Sequence, residues 1–359
     1  MNYFISEKQV DKTQARTAGS KARDDVETIF KEKNMAPILV TTMQEKRKKK
    51  RGLMQKLKIH REIYKEWKTK IKNLAKGDVL FIQFPCLEHT LYLPYLLKNL
   101  KKRGVKTVLL LHDLEILRVS KERRTKLKKK IRLRLEDYGC LKNAGFLIAH
   151  NPRMVEYLKN MGISASKIIS LGIFDYLIPN FSPREMCDQN KIVIAGNLEK
   201  RKAKYLYELP CDVKFELYGV NYTGIQNEFI TYHGSYPSDE LPNVIEGRFG
   251  LVWDGTSTET CEGVYGQYLK INNPHKTSLY LASGIPVFIW KESALANFVV
   301  KNSCGVLIGS ISEIREVLNS LSQDDYDKLK CGAEEVGEKM RRGYFTRQAI
   351  NRIQMDDNC

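Results

Sequence analysis

Short apolar runs alternate with helix-like segments along almost the whole chain, and this alternation constrains the fold more than any other feature. Runs such as TVLLLHD (107–113) and KIVIAGN (191–197) are rich in Val, Ile and Leu, and helix-like segments such as 121–142, 199–207 and 238–246 lie between such runs. A continuous apolar run is typical of a strand that is buried on both faces. Strands that alternate with helices predict parallel sheets with crossover helices, so we expect an α/β protein.

The alternation is interrupted by a polar, proline-containing break from Ile178 to Asn190. A chain of 359 residues is long for a single core, so two domains are the default expectation. We predict a Rossmann-like N-terminal domain over 1–180 and a Rossmann-like C-terminal domain over 190–335. Because doubly wound sheets bind ligands at the carboxyl ends of their strands, the site is expected in the cleft between the domains.

The chain is strongly basic, with 60 Lys and Arg against 42 Asp and Glu and a formal net charge of +18. Such a charge predicts an anionic partner: nucleic acid, a membrane surface or a phosphorylated substrate. The Lys-rich runs 45–51 and 121–134 contain no aromatic residue, which disfavours nucleic-acid recognition. We therefore expect no nucleic-acid partner, although a basic, non-catalytic nucleic-acid-binding protein stays open as the alternative. The helix predicted over 121–142 fits a solvated surface helix as well as it fits a face for an anionic membrane surface or an anionic ligand.

The hydropathy, the N-terminal residues and the spacing of the cysteines narrow the possible classes of protein further. No run approaches the roughly 20 apolar residues of a membrane span, and the start MNYFISEKQ lacks the features of a secretory signal. We expect a cytoplasmic protein that binds peripherally to the inner face of the cell membrane. The eight cysteines are scattered without a CxxC pair, so neither a zinc site nor a disulfide framework is predicted.

Several predicted strands of the second half end in polar or small residues. Asn197 ends one strand and is followed by Lys200, Tyr218 and Gly219 end the next, and Asp254 follows a third. A glycine lets the backbone approach a ligand closely, and a helix that starts behind a strand offers N–H groups to an anion. An aromatic side chain at a strand end is a candidate to stack on a base. Each position alone also fits an ordinary turn, but their recurrence indicates a binding edge.

The segment NNPHK (272–276) lies directly before a short helix-like block and a buried strand. A helix that begins near Pro274 would have an Asn as its cap, from Asn272 or Asn273. Lys276 would then lie in the first turn, where the helix dipole disfavours a cation. That placement is favourable if an anion occupies the helix mouth, whereas a capped helix with a surface lysine is the alternative.

Two segments of the first half are candidates for catalysis and for closure of the site. His112 and Asp113 end a strand, and an imidazole beside a carboxylate fits a general base, although the Asp could instead cap the next helix. The residues Thr17, Ala18, Gly19 and Ser20, which follow Arg16, are small and flexible, as expected of a loop that faces the cleft. Neither GxGxxG nor a P-loop pattern occurs, so NAD and ATP sites have no support.

Together these motifs resemble bacterial GT-B glycosyltransferases, specifically the galactofuranosyl- and glucosyltransferases that build surface polysaccharides and glycoproteins. The resemblance is carried by GLVWDG (250–255), YGQYLKINNPHKTSLYLASGIPVFI (265–289) and ALANFVVKNSCG (294–305), with HDLEILR (112–118) and HNPRMVEYL (150–158) before them. It implies two Rossmann-like domains with parallel sheets that face a central cleft. It also implies a UDP-sugar donor on the C-terminal domain and a glycan acceptor, lipid-linked or protein-linked, on the N-terminal domain.

The resemblance also implies roles for individual residues. The diphosphate would be contacted by a polar and basic group: Asn197, Lys200, Asn272, Asn273, Lys276. Tyr218 and Gly219 would lie against the uracil, Asp254 would face the sugar, and the loop from Arg16 to Lys21 would close over the donor. The segment 336–359 is expected to form a chain-end helix that packs back on the N-terminal domain, and a homo-oligomer stays open.

One departure from the resemblance bears on mechanism. Retaining enzymes of the commonest GT-B type carry two glutamates eight residues apart, whereas here Glu262 is followed eight positions later by Lys270. This departure favours an inverting transfer with one general base, His112 or Asp113. No cofactor and no metal are expected, because a helix dipole and cations would neutralise the leaving UDP. A protein that binds sugar nucleotides without transfer is a further alternative.

Overall fold

The computed structural model describes residues 1–8, 18–41, 53–87, 91–116, 127–182 and 190–355. Within these ranges the strands form two six-stranded sheets, and every paired strand runs parallel to its neighbour. The α/β class with two Rossmann-like sheets is therefore confirmed. Across these ranges no helix is both long enough and apolar enough to cross a membrane.

The first sheet has the strand order β2-β1-β3-β4-β5-β6. Its strands are β1 (Asn2–Lys8), β2 (Ala36–Thr41), β3 (Val79–Phe84), β4 (Lys106–Leu111), β5 (Phe146–Ala149) and β6 (Ile168–Ser170). Strands β3 and β4 are almost entirely buried, in agreement with their mostly apolar sequences VLFIQF and KTVLLL. The order reverses between β1 and β3, so that a crevice opens at the carboxyl ends of these strands.

Helices cover both faces of the first sheet: α1 (Ala18–Glu32), α2 (Leu53–Lys70), α3 (Leu93–Lys102), α4 (Leu127–Asn143) and α5 (Pro152–Asn160). The buried side chains of α2, α3, α4 and α5 form one core with one face of the sheet. Those of α1 form another core on the opposite face. Helix α4 confirms a helix within the predicted segment 121–142, of which residues 121–126 lie outside the described ranges.

The second sheet has the strand order β12-β11-β10-β7-β8-β9. Its strands are β7 (Lys191–Asn197), β8 (Lys214–Val220), β9 (Ile230–Tyr232), β10 (Phe249–Val252), β11 (Val287–Trp290) and β12 (Gly305–Ile308). Its helices are α6 (Gly263–Tyr268), α7 (His275–Ala282), α8 (Ala296–Lys301) and α9 (Glu313–Ser320).

Two connections of the second domain are less helical than the sequence predicts. The helices expected over 199–207 and 238–246 are reduced to the 3₁₀ helices Lys204–Tyr207 and Leu241–Asn243. Pro210 follows the first of these shortly after its end, and Pro242 lies within the second. Pro242 prevents a continuous α-helix over 238–246, because a proline inside a helix has no backbone N–H to donate, whereas Pro210 lies beyond 199–207 and does not explain the short first helix.

Two chain-end helices, α10 (Gln323–Arg341) and α11 (Tyr344–Met355), complete the fold. Gly343 has a φ of +67° and separates the end of α10 from α11, so the C-terminal segment expected over 336–359 contains the end of one helix and most of a second. Helix α11 returns to the first domain, where Ile350 and Ile353 share a core with Ile29 of α1. The backbone N–H groups at the start of α11 donate to the carboxylate of Asp175, so the segment that joins the domains also caps the last helix.

Candidate active site

A cavity of about 660 Å³ lies between the two domains, at the carboxyl ends of both sheets. Its walls include most of the residues that the sequence singled out: His112, Asp113, Asn197, Tyr218, Gly219, Asp254, Asn272, Asn273, Lys276. Gly219 closes one wall, because a Cβ there would overlap the carbonyl oxygen of Gly196 on the neighbouring strand. The two strand ends therefore approach each other more closely than any larger residue allows.

The N-terminus of α7 opens into this cavity. The helix begins at His275, and Pro274 before it has an extended conformation and provides no side-chain cap. Helix α7 packs closely on the sheet, because a Cβ at Gly250 would overlap the ring of Tyr280. An uncapped helix N-terminus carries partial positive charge on its first N–H groups. The predicted helix start is thus close to the observed one, but the predicted Asn cap is wrong.

Lys276 extends from the first turn of α7 along the cavity wall. Its ammonium donates to the backbone oxygen of Trp253 at 2.7 Å and to Oδ1 of Asp254 at 3.0 Å. Both charged side chains are nearly buried, at 13% and 10% exposure. Burial lowers the pKa of Lys276, and the Asp254 carboxylate opposes that shift. An ammonium has three N–H donors, so one remains for a ligand in the cavity.

Asn273 joins the two domains. Its side-chain amide donates to the backbone oxygens of His150 at 2.7 Å and Gly172 at 3.0 Å, and its Oδ1 accepts from Asn151 at 2.8 Å. Its backbone N–H donates to Nδ1 of His150. Both amide hydrogens are therefore used, which leaves none for a phosphate. The structure gives Asn273 a structural role in place of the diphosphate contact that the resemblance implied.

Asn272 and His275 bring unsatisfied polar atoms to the cavity. Oδ1 of Asn272 and both ring nitrogens of His275 are buried, and none has a hydrogen-bond partner within the described part of the chain. Burial lowers the pKa of His275 to about 3, so its imidazole is neutral near pH 7. Buried polar atoms without partners are uncommon in folded proteins and call for an explanation. A polar ligand in the cavity would supply the missing hydrogen bonds.

His112 and Asp113 face the cavity from the end of β4. Nε2 of His112 lies 2.6 Å from Oε1 of Gln83, and the imidazole stacks on the ring of Phe174. Because a carbonyl oxygen only accepts, Nε2 carries the hydrogen and Nδ1 is the proton-accepting atom of the neutral ring. Burial, with smaller contributions from Arg23 and two other histidines, holds the pKa of His112 well below its usual range. Asp113 accepts a hydrogen bond of 2.6 Å from the hydroxyl of Tyr268, which belongs to the second domain.

Tyr218 and Asn197 lie on the wall formed by the second sheet. Tyr218 is only 3% exposed, and its ring stacks on His233 with 4.5 Å between ring centroids. So little exposed ring surface disfavours the predicted stacking of a uracil on Tyr218. The Oδ1 atom of Asn197 accepts hydrogen bonds from the backbone of Glu199 and from the side chain of Asn221, so this side chain shapes the end of β7.

The remaining predicted residues are Lys200, Gly19, Arg16 and Thr17. The ammonium of Lys200 lies 5.2 Å from the ring centroid of Tyr207, and Lys200 is not among the residues that line the cavity. Gly19 is in α1 rather than in a loop, because the helical pattern of the following segment extends back to Ala18. Arg16 and Thr17 lie outside the described residues, so closure of this segment over a donor stays a prediction.

Sequence reasoning missed an ionic contact between the domains. The ammonium of Lys21, on α1, lies 2.7 Å from carboxylate oxygens of both Asp25 and Asp239 and donates to the backbone oxygen of Leu177. Asp239 belongs to the second domain, so this contact joins the two domains, and Lys21 is only 5% exposed. Burial raises the pKa of Asp25 to about 6. In the sequence, Lys21 lies one helical turn before Asp25, and this spacing alone indicates only an ion pair within one helix.

The cavity walls offer no evident set of metal ligands. In the ranges that the structure describes, no group of three or more His, Cys, Asp or Glu side chains is arranged to hold a metal ion. The absence of a metal requirement stays a prediction, and its test is enzymatic.

Two family models match the chain: the glucosyltransferase 3-like N-terminal domain over residues 2–173 and the glucosyltransferase 3-like C-terminal domain over residues 192–353. The beta-1,6-galactofuranosyltransferase WbbI of Escherichia coli K12 is 36% identical over 293 residues, which cover 80% of this chain and 82% of the relative. Glucosyltransferase 3 of Streptococcus parasanguinis is 24% identical, with coverage of 78% and 79%.

Solved structures share the fold. HepE of Anabaena, crystallised with UDP, superimposes with a TM-score of 0.55 at 13% identity and covers 100% of both chains. At this identity the likeness concerns the fold alone. Together with the two parallel sheets, it confirms the GT-B architecture that the sequence resemblance implied.

Proposed function

Since the chain belongs to the glucosyltransferase 3-like family of glycosyltransferases, we propose that it transfers a hexosyl group from a UDP-sugar to a hydroxyl of a glycan acceptor. Galactofuranose and glucose are the two candidate sugars, because they are the groups that the names of the relatives specify. The UDP bound to HepE, which has the same fold, supports uridine diphosphate as the carrier.

One observation carries the proposal: the uncapped N-terminus of α7 and the ammonium of Lys276 face the same cavity. Free N–H groups, the helix dipole and a partly paired cation together attract a diphosphate. The same groups stabilise the negative charge that develops on the diphosphate as it leaves. A cavity between two domains also lets donor and acceptor enter from opposite walls.

The proposed reaction is a single displacement with inversion. The acceptor oxygen forms a bond to the anomeric carbon while the bond from that carbon to the β-phosphate oxygen breaks, and the bonding electron pair leaves with UDP. A base on the N-terminal domain takes the proton of the acceptor hydroxyl. Asp254, which Lys276 holds at the cavity wall, is proposed to face the transferred sugar.

We assign the base to His112 or Asp113, which lie side by side at the end of β4. Nδ1 of His112 is free to accept a proton, but the low pKa of this ring makes it a weak base in the empty cavity. A bound diphosphate would add negative charge and raise that pKa. Asp113 accepts a hydrogen bond from Tyr268, and its role as base requires that this bond be kept or exchanged for the acceptor hydroxyl.

We also propose that transfer needs no metal, because Lys276 and the start of α7 supply the positive charge. The test is turnover with a chelator present. Undiminished turnover supports the proposal, and a loss that is restored by Mg²⁺ or Mn²⁺ contradicts it.

Donor binding tests the proposed function itself. Thermal unfolding would be followed with UDP-, GDP- and dTDP-sugars, since a ligand that binds the folded state raises the melting temperature. We expect UDP-sugars to give the largest shift, and turnover with the same donor to yield a glycan whose anomeric configuration is opposite to that of the donor. Equal shifts with all three nucleotides would contradict UDP specificity, and a retained configuration would contradict inversion.

A further inference from the structure

Four large apolar side chains are exposed near the N-terminal ends of α2 and α3. Met54 is 80% exposed, Leu57 40%, Leu91 37% and Tyr95 54%. We call these four residues the apolar stripe. Single exposed apolar residues are common, but a cluster on adjacent elements is typical of an interaction site.

Ring contacts join the two halves of the stripe. Tyr64 of α2 lies 5.3 Å from Tyr92 and 6.2 Å from Tyr95, measured between ring centroids. Leu57 and Tyr64 are seven residues apart and so lie on the same face of α2. Arg61 lies between them on that face, and Tyr64 connects the face to the start of α3.

Helix α4 extends this surface on the other side of α3. A Cβ at Gly139 of α4 would lie 3.0 Å from Pro94, so the two helices touch at the start of α3. Leu135 lies one turn before Gly139 on α4 and is 66% exposed. Three adjacent helices thus present apolar side chains on one side of the first domain.

Cations flank the stripe on both helices. Lys58, Arg61 and Lys65 are exposed on α2, and Lys98 and Lys102 are exposed on α3. Apolar and tyrosine side chains set among cations match the boundary between headgroups and acyl chains in a membrane of anionic lipids. The charge of the whole chain, +18, has the same sign.

The stripe lies beside the mouth of the cavity. Helix α3 follows strand β3, so its first turn lies at the carboxyl edge of the first sheet. Glu66 of α2 accepts a hydrogen bond from the backbone N–H of Thr41 at the end of β2, so the earlier turns of α2 extend beyond that edge. Pro85, just after β3, and His112, just after β4, line the cavity at that same edge. A surface that binds the apolar stripe would therefore lie close to the proposed acceptor side of the cavity.

We infer that the apolar stripe docks the protein on an anionic lipid bilayer and brings the cavity to an acceptor carried by a lipid. This inference rests on the proposed transfer to a glycan and specifies the carrier of that glycan. Shallow insertion of a few side chains with electrostatic attraction gives reversible binding, without a spanning helix.

Flotation of the full chain with vesicles tests the inference without donor or acceptor. The vesicles would contain phosphatidylcholine alone or with about 30% phosphatidylglycerol. We expect binding to the anionic vesicles only, and a loss of about tenfold or more in apparent affinity for Leu57→Glu combined with Tyr95→Glu. The matched control is Ile225→Glu combined with Val300→Glu, since these side chains are 84% and 58% exposed on the second domain.

The outcomes separate this inference from the proposed function. Binding that falls equally in the stripe variant and in the control shows that charge alone matters and overturns the inference. Absence of vesicle binding, or a stripe variant that changes only the oligomeric state in solution, overturns it as well. Transfer to a soluble acceptor should be unchanged in the stripe variant, so failure of vesicle binding leaves the hexosyltransferase activity intact.

Discussion

Replacement of Lys276 by alanine is expected to weaken UDP binding and slow transfer. The variant removes the ammonium that donates to Trp253 and Asp254 and leaves the start of α7 as the main source of positive charge. A hydrogen bond to a charged group contributes about 1.5–3 kcal/mol, so the dissociation constant of UDP should rise by about 10- to 150-fold. A donor that acts on the developing charge contributes about 100- to 1,000-fold in kcat.

The same substitution leaves the carboxylate of Asp254 without its ion-pair partner. Asp254 is 10% exposed, and loss of its partner leaves a nearly buried negative charge against the diphosphate. Removal of one partner of a buried pair costs roughly 3–5 kcal/mol of stability, so Lys276→Ala alone confounds binding with folding. The double variant Lys276→Met with Asp254→Asn removes both charges at nearly constant volume. We expect it to recover the melting temperature but not the affinity for UDP.

The assay is calorimetric titration with UDP, which lacks the sugar that Asp254 is proposed to face. Lys214→Ala is a matched control, because Lys214 is an exposed lysine at the start of β8. An affinity within twofold of wild type for Lys276→Ala, or an affinity restored in the double variant, would refute the role of the ammonium.

Three further predictions concern pH, the linking segment and domain contact. If His112 is the base, its low pKa in the free protein places the acidic limb of the pH profile of kcat/KM well below pH 6.5. His112→Ala should abolish that limb. A limb near pH 6.5 would contradict the assignment. Burial raises the pKa of Asp175 to about 7, above its unfolded value near 3.8, so the unfolded state loses this proton first and stability falls as pH rises from about 4 to 7. Asp175→Asn should reduce that slope by up to about 1.4 kcal/mol per pH unit, as measured by urea unfolding, and an unchanged slope contradicts the shift. Lys21→Met should raise KM for the donor several-fold, because the contact with Asp239 helps hold the two cavity walls together; unchanged kinetics would show that the contact is dispensable.

Local pattern accounts for the parts of the fold that could be predicted from the sequence. The buried strands β3, β4, β7 and β10 coincide with mostly apolar runs, since a strand covered on both faces needs apolar side chains on both. Their carboxyl ends meet at the cavity, which is why strand-end residues such as His112 and Asp254 are identifiable from the sequence. The position of Lys276 in the first turn of α7 follows from Pro274 alone.

Contacts between distant segments account for what the sequence did not show. Asn273 has the type and position of a helix cap, yet its partners His150 and Gly172 lie more than 100 residues earlier in the chain. Tyr218 has the position of a stacking surface, but the chain just after β9 brings His233 onto its ring. The local sequence pattern identifies the residue and the helix or strand that carries it. Tertiary packing then decides which face of its side chain stays exposed.

A structure of the complex with UDP tests most directly whether α7 and Lys276 bind the diphosphate. We expect the β-phosphate to lie within hydrogen-bond distance of the first backbone N–H groups of α7 and of the ammonium of Lys276. A diphosphate bound elsewhere in the cavity, with the start of α7 left facing solvent, would contradict it.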